Sequence, residues 1–255
     1  MTVPASSLPP AAPRVPGFLL PVAAAGAVMA GAVALTELAG GPFSYTALPA
    51  LGAFAVVVGL MVWFHRRLGS LGPFGAANAV TLGRGLIAAW LAGLICTGPE
   101  IGIVGWWIAG AAFLALLLDG IDGWLARWQR TVSAFGARFD MEVDALLLLV
   151  LSLLAWEAGR AGPWVLLIGL MRYGFVATAY ALPWMDAPLP PRFRRKAVCV
   201  AQGLALALVF VPPVPDAVAA TLAAGALGLL ALSFAGDVGW LIRNRPGRQP
   251  GRRMA

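Results

Sequence analysis

The chain has 255 residues, of which 60% are hydrophobic and 11% charged, with a formal net charge of +7. Soluble domains carry about 25% charged residues, so this composition excludes an ordinary globular protein and fits an all-α, polytopic membrane bundle. The basic excess does not mark a nucleic-acid partner, because the basic residues sit in short loops between apolar runs.

Residues 1–16 are rich in Pro, Ala and Ser and are expected to be disordered. The first apolar run, about Phe18 to Leu38, is of full spanning length, and only Arg14 precedes it, which argues against a secretory signal. A second run covers about Ala47 to Phe64, and a basic, Gly-containing connector follows from His65 to Ala77. Six more runs are read at about Val80 to Thr97, Ile101 to Leu118, Ala145 to Trp156, Trp164 to Trp184, Ala197 to Val211 and Ala217 to Ile242. The fourth run is expected to continue as a polar helix, and the fifth to start early, near Gly136. Ser133, in the turn between them, is the expected N-cap.

With the N-terminus placed inside, all of the 18 basic residues except Arg160 and Arg172 fall on the inner side. Short loops rich in Arg and Lys stay cytoplasmic, so both termini are expected there, in the cell (inner) membrane. The same charge suits anionic lipid headgroups, above all in the basic tail. Cys96 and Cys199 lie near opposite ends of their runs and are expected to be free thiols. His65 is expected to be an interface anchor, and the tryptophans at span ends are anchors as well.

Of the eleven acidic residues, Asp119, Asp122, Asp140, Glu142 and Asp144 crowd the inner ends of two consecutive helices. Carboxylates against a membrane are costly, so the cluster points to function. At about 100° per residue, Asp119, Asp122, Gly123, Ala126 and Arg127 share one helix face. Gly136, Asp140 and Asp144 follow one another at single-turn spacing. Four converging carboxylates need a counter-charge, and hard oxygen ligands suit Mg²⁺ or Mn²⁺. One or two such ions beside an Arg suit a diphosphate, and the small residues leave room for a nucleotide.

The run Asp122-Gly123-Trp-Leu-Ala126-Arg127, then Gly136, Asp140 and Asp144, with Asp119 upstream, resembles the signature of the CDP-alcohol phosphatidyltransferases. Asn78, Thr81 and Arg84 are similar to that family's start of its first core helix. The resemblance implies a six-helix core over 78–244, preceded by two extra helices and the connector (17–77) and followed by a basic tail (245–255). It implies that Asp119, Asp122, Asp140 and Asp144 bind two Mg²⁺ or Mn²⁺ ions, and that Asp144 deprotonates the acceptor. Thr81, Gly123, Ala126, Arg127 and Gly136 would hold the cytidine diphosphate part of CDP-diacylglycerol. A homodimer is also implied.

Arg192, Arg195 and Lys196, in the densest inner loop, are candidates to bind a polar alcohol acceptor carrying a phosphate, although positive-inside charge alone would also put them there. Arg172, inside a span, is expected to face the bundle interior and pair with a carboxylate or a phosphate. Met141 and Ala145 stand where glycerol-phosphate enzymes of the family often carry Pro and Lys. Inositol phosphate, glycerol phosphate, serine and a lipid headgroup all remain open as acceptors. Two rival readings use the same aspartates: a membrane prenyltransferase and a cation transporter. Against the first, Asp122 and Asp140 are only 18 positions apart. Against the second, a transporter has no need of Gly123, Ala126 and Arg127 on the aspartate face.

Overall fold

The computed structural model describes residues 17–39, 46–68, 74–95, 97–98, 102–130, 132–187, 189–190 and 193–244. The expected disorder of 1–16, the basic tail, Cys96 and Arg192 lie outside the described residues. Among the described residues eight α-helices follow one another: α1 (Leu19–Ala39), α2 (Ala47–Leu68), α3 (Ala76–Gly93), α4 (Ile103–Trp128), α5 (Ala134–Glu157), α6 (Leu166–Ala181), α7 (Phe193–Val209) and α8 (Asp216–Arg243). Short 3₁₀ turns at Pro163–Val165 and Pro183–Asp186 flank α6. No strand occurs among the described residues.

The chain is a helical membrane bundle. Among the described residues four segments are long and apolar enough to cross a bilayer: α2, α4, Pro163–Ala181 and α8. In α1 the apolar stretch is shorter, Leu19–Leu35. The remaining helices fall short for a physical reason. The α3 helix carries Asn78, Thr81 and Arg84, α5 carries Arg138, Asp140, Glu142 and Asp144, and α7 opens on Arg194, Arg195 and Lys196. Among these, α3 and α5 are the most buried, screened by their neighbours, so their polar ends meet protein in place of lipid.

Apolar lipid gives helices no hydrophobic reason to associate, so close van der Waals approach must hold them. Glycines provide it. A Cβ on Gly85 would lie 2.7 Å from Val57 Cγ1, and one on Gly93 would lie 2.9 Å from the Thr46 carbonyl oxygen. Both contacts press α2 against α3. Met29 and Val33 of α1 join Ala50 and Ala89 on the same seam. The two leading helices therefore brace α3. A second apolar core, with Leu91, Ile108, Leu151, Leu206 and Phe210, ties α3, α4, α5 and α7 together.

The ends of the helices are set by local chemistry. As expected, α4 extends past its apolar part to Trp128, and α5 begins early at Ala134. Ser133 caps α5, its Oγ accepting from the Gly136 amide at 3.0 Å. In the turn before it, Arg130 takes a left-handed conformation (φ 54°), as residues past a helix end do. At the opposite end of the bundle Arg160 is buried. It donates to the carbonyls of Val209 (2.8 Å) and Val214 (2.7 Å) and pairs with Asp216 at 2.5 Å. This clamp satisfies a carbonyl at the end of α7 and another in the loop before α8. His65, half-buried, packs edge-on against Phe18 (4.9 Å) and against Phe135 (5.6 Å) at the start of α5.

Candidate active site

One end of the bundle gathers the first turns of α3, α5 and α7 and the last turns of α4 and α8. At its centre stands Arg84, 1% exposed. Its Nη1 lies 3.1 Å from Asp119 Oδ1, 3.0 Å from Asp122 Oδ2 and 2.6 Å from Asp140 Oδ1. Its Nη2 bonds Asp144 Oδ1. The structure thus brings together the four predicted aspartates and adds a guanidinium among them. Thr81, one turn before Arg84, donates its hydroxyl to Asp122 Oδ2 at 3.0 Å.

Four carboxylates around one guanidinium leave an excess of negative charge. Asp119, Asp140 and Asp144 each offer an oxygen, and the three oxygens lie within 4.8 Å of one another. Oxygens on opposite sides of an octahedral Mg²⁺ are about 4.2 Å apart, so the donors fit a small hard cation after slight closure. Asp122 shares the Arg84 Nη1 with Asp119 and Asp140 but is more deeply buried than the trio and also accepts from Thr81.

Four of the candidate nucleotide residues, Gly123, Ala126, Arg127 and Gly136, are partly or fully exposed, and Thr81 is buried. Gly123 and Ala126 are partly exposed on α4. The exposed Arg127 folds back over Gly123, where an added Cβ would lie 3.4 Å from Nη1. Gly136 has a packing reason to be small: a Cβ there would lie 2.8 Å from Asn78 Oδ1 and 3.1 Å from Ser133 Oγ. Thr81 is buried and faces Asp122.

Beside the aspartates a cavity of about 770 Å³ opens between α5, α6, α7 and α8. Asp144 belongs to its wall, with Arg138, Arg172 and Arg195 as the cationic members. Arg172 pairs with Glu142 and lies 3.1 Å from Met141 Sδ, so it does meet a carboxylate, as expected. Arg138 Nε is 3.7 Å from the same Glu142 oxygen. Asp237, from α8, pairs with Arg194 (3.0 Å) and Arg195 (3.8 Å). Lys196 is exposed and takes no part in the wall. On α7 the wall is built by Arg195, Val198, Cys199 and Gln202, one helical face, and Lys196 sits about 100° away from Arg195. Cys199 is a free thiol on that face.

The family model for CDP-alcohol phosphatidyltransferases matches residues 74–235. The chain belongs to this family. No curated protein and no solved structure shows significant similarity to it. The match starts at the residue before the turn into α3, so α1 and α2 lie outside it.

In this CDP-alcohol phosphatidyltransferase the carboxylates around Arg84 form a cluster suited to a divalent ion, next to a cavity of mixed polar and apolar character. Three charged residues there escape sequence reading. Arg84 is legible only as part of a helix-start motif and an inner-side charge. Its depth within an apolar helix is the signal that it needs an anionic partner. Glu142 lies between two motif aspartates but points about 200° away from Asp140, toward α6. Asp237, the last acidic residue, sits in an otherwise apolar run and looks from sequence like a span end.

Proposed function

We propose that the protein moves the phosphatidyl group of CDP-diacylglycerol to the hydroxyl of a polar alcohol, releasing CMP, as a step of phospholipid synthesis. The observation that supports this most is the double position of Asp144. It is a member of the carboxylate trio, and it is also part of the cavity wall. A base placed there reaches both a diphosphate held at the aspartates and an alcohol held in the cavity.

The acceptor oxygen attacks the β-phosphorus of CDP-diacylglycerol and its proton passes to Asp144. The bond from that phosphorus to the bridging oxygen breaks, and CMP leaves with the electron pair. When bound, one or two Mg²⁺ or Mn²⁺ ions at Asp119, Asp122, Asp140 and Asp144 would offset charge on the diphosphate. Arg84 holds Asp122 and Asp140 in place and keeps their repulsion low. Gly123, Ala126, Arg127 and Gly136 border the space for the cytidine part, and Thr81 orients Asp122. Arg172 and Arg195 bind the acceptor, aided by Lys196 in the first turn of α7 and by Arg192, which precedes that helix in sequence. The diacylglycerol tails stay in the bilayer, and the basic loops support a cytoplasmic side for the site and both termini, in a cell (inner) membrane. The enzyme acts as a homodimer.

Family membership sets aside the prenyltransferase and transporter readings. To test the proposal, purified protein in vesicles containing CDP-diacylglycerol is given Mg²⁺ and single acceptors, and the lipid products are read by mass spectrometry. A new phospholipid bearing one acceptor, formed with equal CMP, is expected. Hydrolysis to phosphatidic acid, with no acceptor incorporated, contradicts it.

A further inference from the structure

Two residues of the cavity wall, Gln202 and Arg172, each carry a buried polar atom that the protein leaves without a partner. Gln202, on α7, is fully buried and belongs to that wall. Its Nε2 donates to the Ala226 carbonyl of α8 at 2.7 Å. Only the NH₂ side of an amide can donate to a carbonyl, so this bond fixes which way the amide points. The other end, Oε1, is buried with no hydrogen-bond partner. On α6, which flanks the cavity, the terminal nitrogens of Arg172 go to Glu142 and Met141, while its Nε is buried and likewise unpartnered.

Buried polar groups are nearly always satisfied, and leaving one unmade costs stability. Two on one cavity, an acceptor and a donor, describe the ligand by complement. Gln202 Oε1 needs an O–H or N–H, and Arg172 Nε–H needs an oxygen. Charge chooses between the donors. The wall carries Arg138, Arg172 and Arg195, and its carboxylates Asp237 and Asp144 are already paired with arginines. The three guanidiniums are themselves paired with Glu142 and Asp237, so the wall offers an ammonium facing Gln202 no uncommitted carboxylate, whereas a neutral hydroxyl needs none.

We propose that Gln202 is a specificity-determining residue that accepts a hydrogen bond from a second, non-reacting hydroxyl of the acceptor, which is therefore a polyol without a cationic group. The inference rests on the transferase reading above and narrows its acceptor. The reacting hydroxyl lies at Asp144, and the second reaches deeper, toward Gln202.

The test uses the full-length protein in CDP-diacylglycerol vesicles with Mg²⁺, reading CMP release. The probes are sn-glycerol 3-phosphate, its analogue 3-hydroxypropyl phosphate (which lacks the middle hydroxyl), myo-inositol 1-phosphate with its monodeoxy analogues, and serine. A polyol phosphate is expected to outperform serine. One deoxy analogue of the better polyol should lose about ten- to a hundredfold in kcat/KM on the unaltered protein. In Gln202→Met the parent and that analogue should become equivalent within about twofold, with KM for CDP-diacylglycerol unchanged. Gln202→Asn, which withdraws the oxygen but keeps an amide, replaces the Met variant if that one fails to fold. Serine as the best acceptor, no penalty for any deoxy analogue, or the same penalty in the variant overturns this inference alone. No CMP release with any probe overturns the transferase reading, and this inference falls with it.

Discussion

Arg84 Nη1 and Asp122 Oδ2 stand 3.0 Å apart where α3 meets α4, with side chains 1% and 5% exposed. This ion pair is shut away from solvent, and the Thr81 hydroxyl bonds the same carboxylate oxygen. Such a pair is worth little against an apolar replacement of both partners, but removing one partner alone strands a buried charge.

Arg84→Met is therefore expected to destabilise the protein by about 3–5 kcal/mol, seen as a lower thermal midpoint in detergent. The variant also strips the fixed cation from four carboxylates. Added Mg²⁺ should raise its midpoint more than it raises that of the unaltered protein, because the ion then supplies the missing charge. Equal metal-induced shifts would show that Arg84 is not part of the charge balance.

Glu142→Gln is expected to act on the acceptor side only. The carboxylate holds Arg172 and stands 3.7 Å from Arg138, and both arginines belong to the cavity wall. Without it the guanidiniums lose their fixed positions. Initial-rate kinetics should show the acceptor KM rising by roughly tenfold, with KM for CDP-diacylglycerol nearly unchanged. A rise confined to CDP-diacylglycerol would place the cavity on the donor side.

Gly136→Ala tests the packing reason for that glycine. The new methyl would collide with Asn78 Oδ1 and crowd the Ser133 cap. A stability loss of about 1–3 kcal/mol is expected in thermal unfolding. Unchanged stability with a raised KM for CDP-diacylglycerol would give the position to the nucleotide alone.

Arg160→Ala is expected to separate stability from chemistry. It removes bonds to the Val209 and Val214 carbonyls and the pair with Asp216, all at the end of the bundle away from the aspartates. A loss of about 2–3 kcal/mol with both KM values unaltered is the expected result. A selective change in acceptor KM would contradict the assignment of this residue as a clamp.

Much of this architecture was legible in the sequence, because local rules govern it. Apolar runs, most of them of spanning length, marked the eight helices, and Ser133 announced the start of α5 by its type and place. The aspartates were legible because spacing on a single helix fixes which face a residue occupies. What was not legible depends on how helices are rotated against distant partners. Arg84 meets Asp144 across 60 positions and Arg194 meets Asp237 across 43. No local rule pairs them. The same limit explains Lys196: it adjoins Arg195 in sequence, yet one step around α7 carries it out of the cavity. The role of α1 and α2 was also hidden, since it rests on Gly85 and Gly93 admitting α2 closely.

The central claim, that Asp144 joins the carboxylate cluster to the acceptor cavity as the base, is tested most directly by CMP release. The assay compares the unaltered protein with Asp144→Asn, at saturating CDP-diacylglycerol and Mg²⁺, with and without the best acceptor. The account predicts acceptor-dependent release that falls by at least about a hundredfold in the variant and is abolished by chelation. Release that persists in a folded Asp144→Asn protein at a rate near that of the unaltered protein would contradict it.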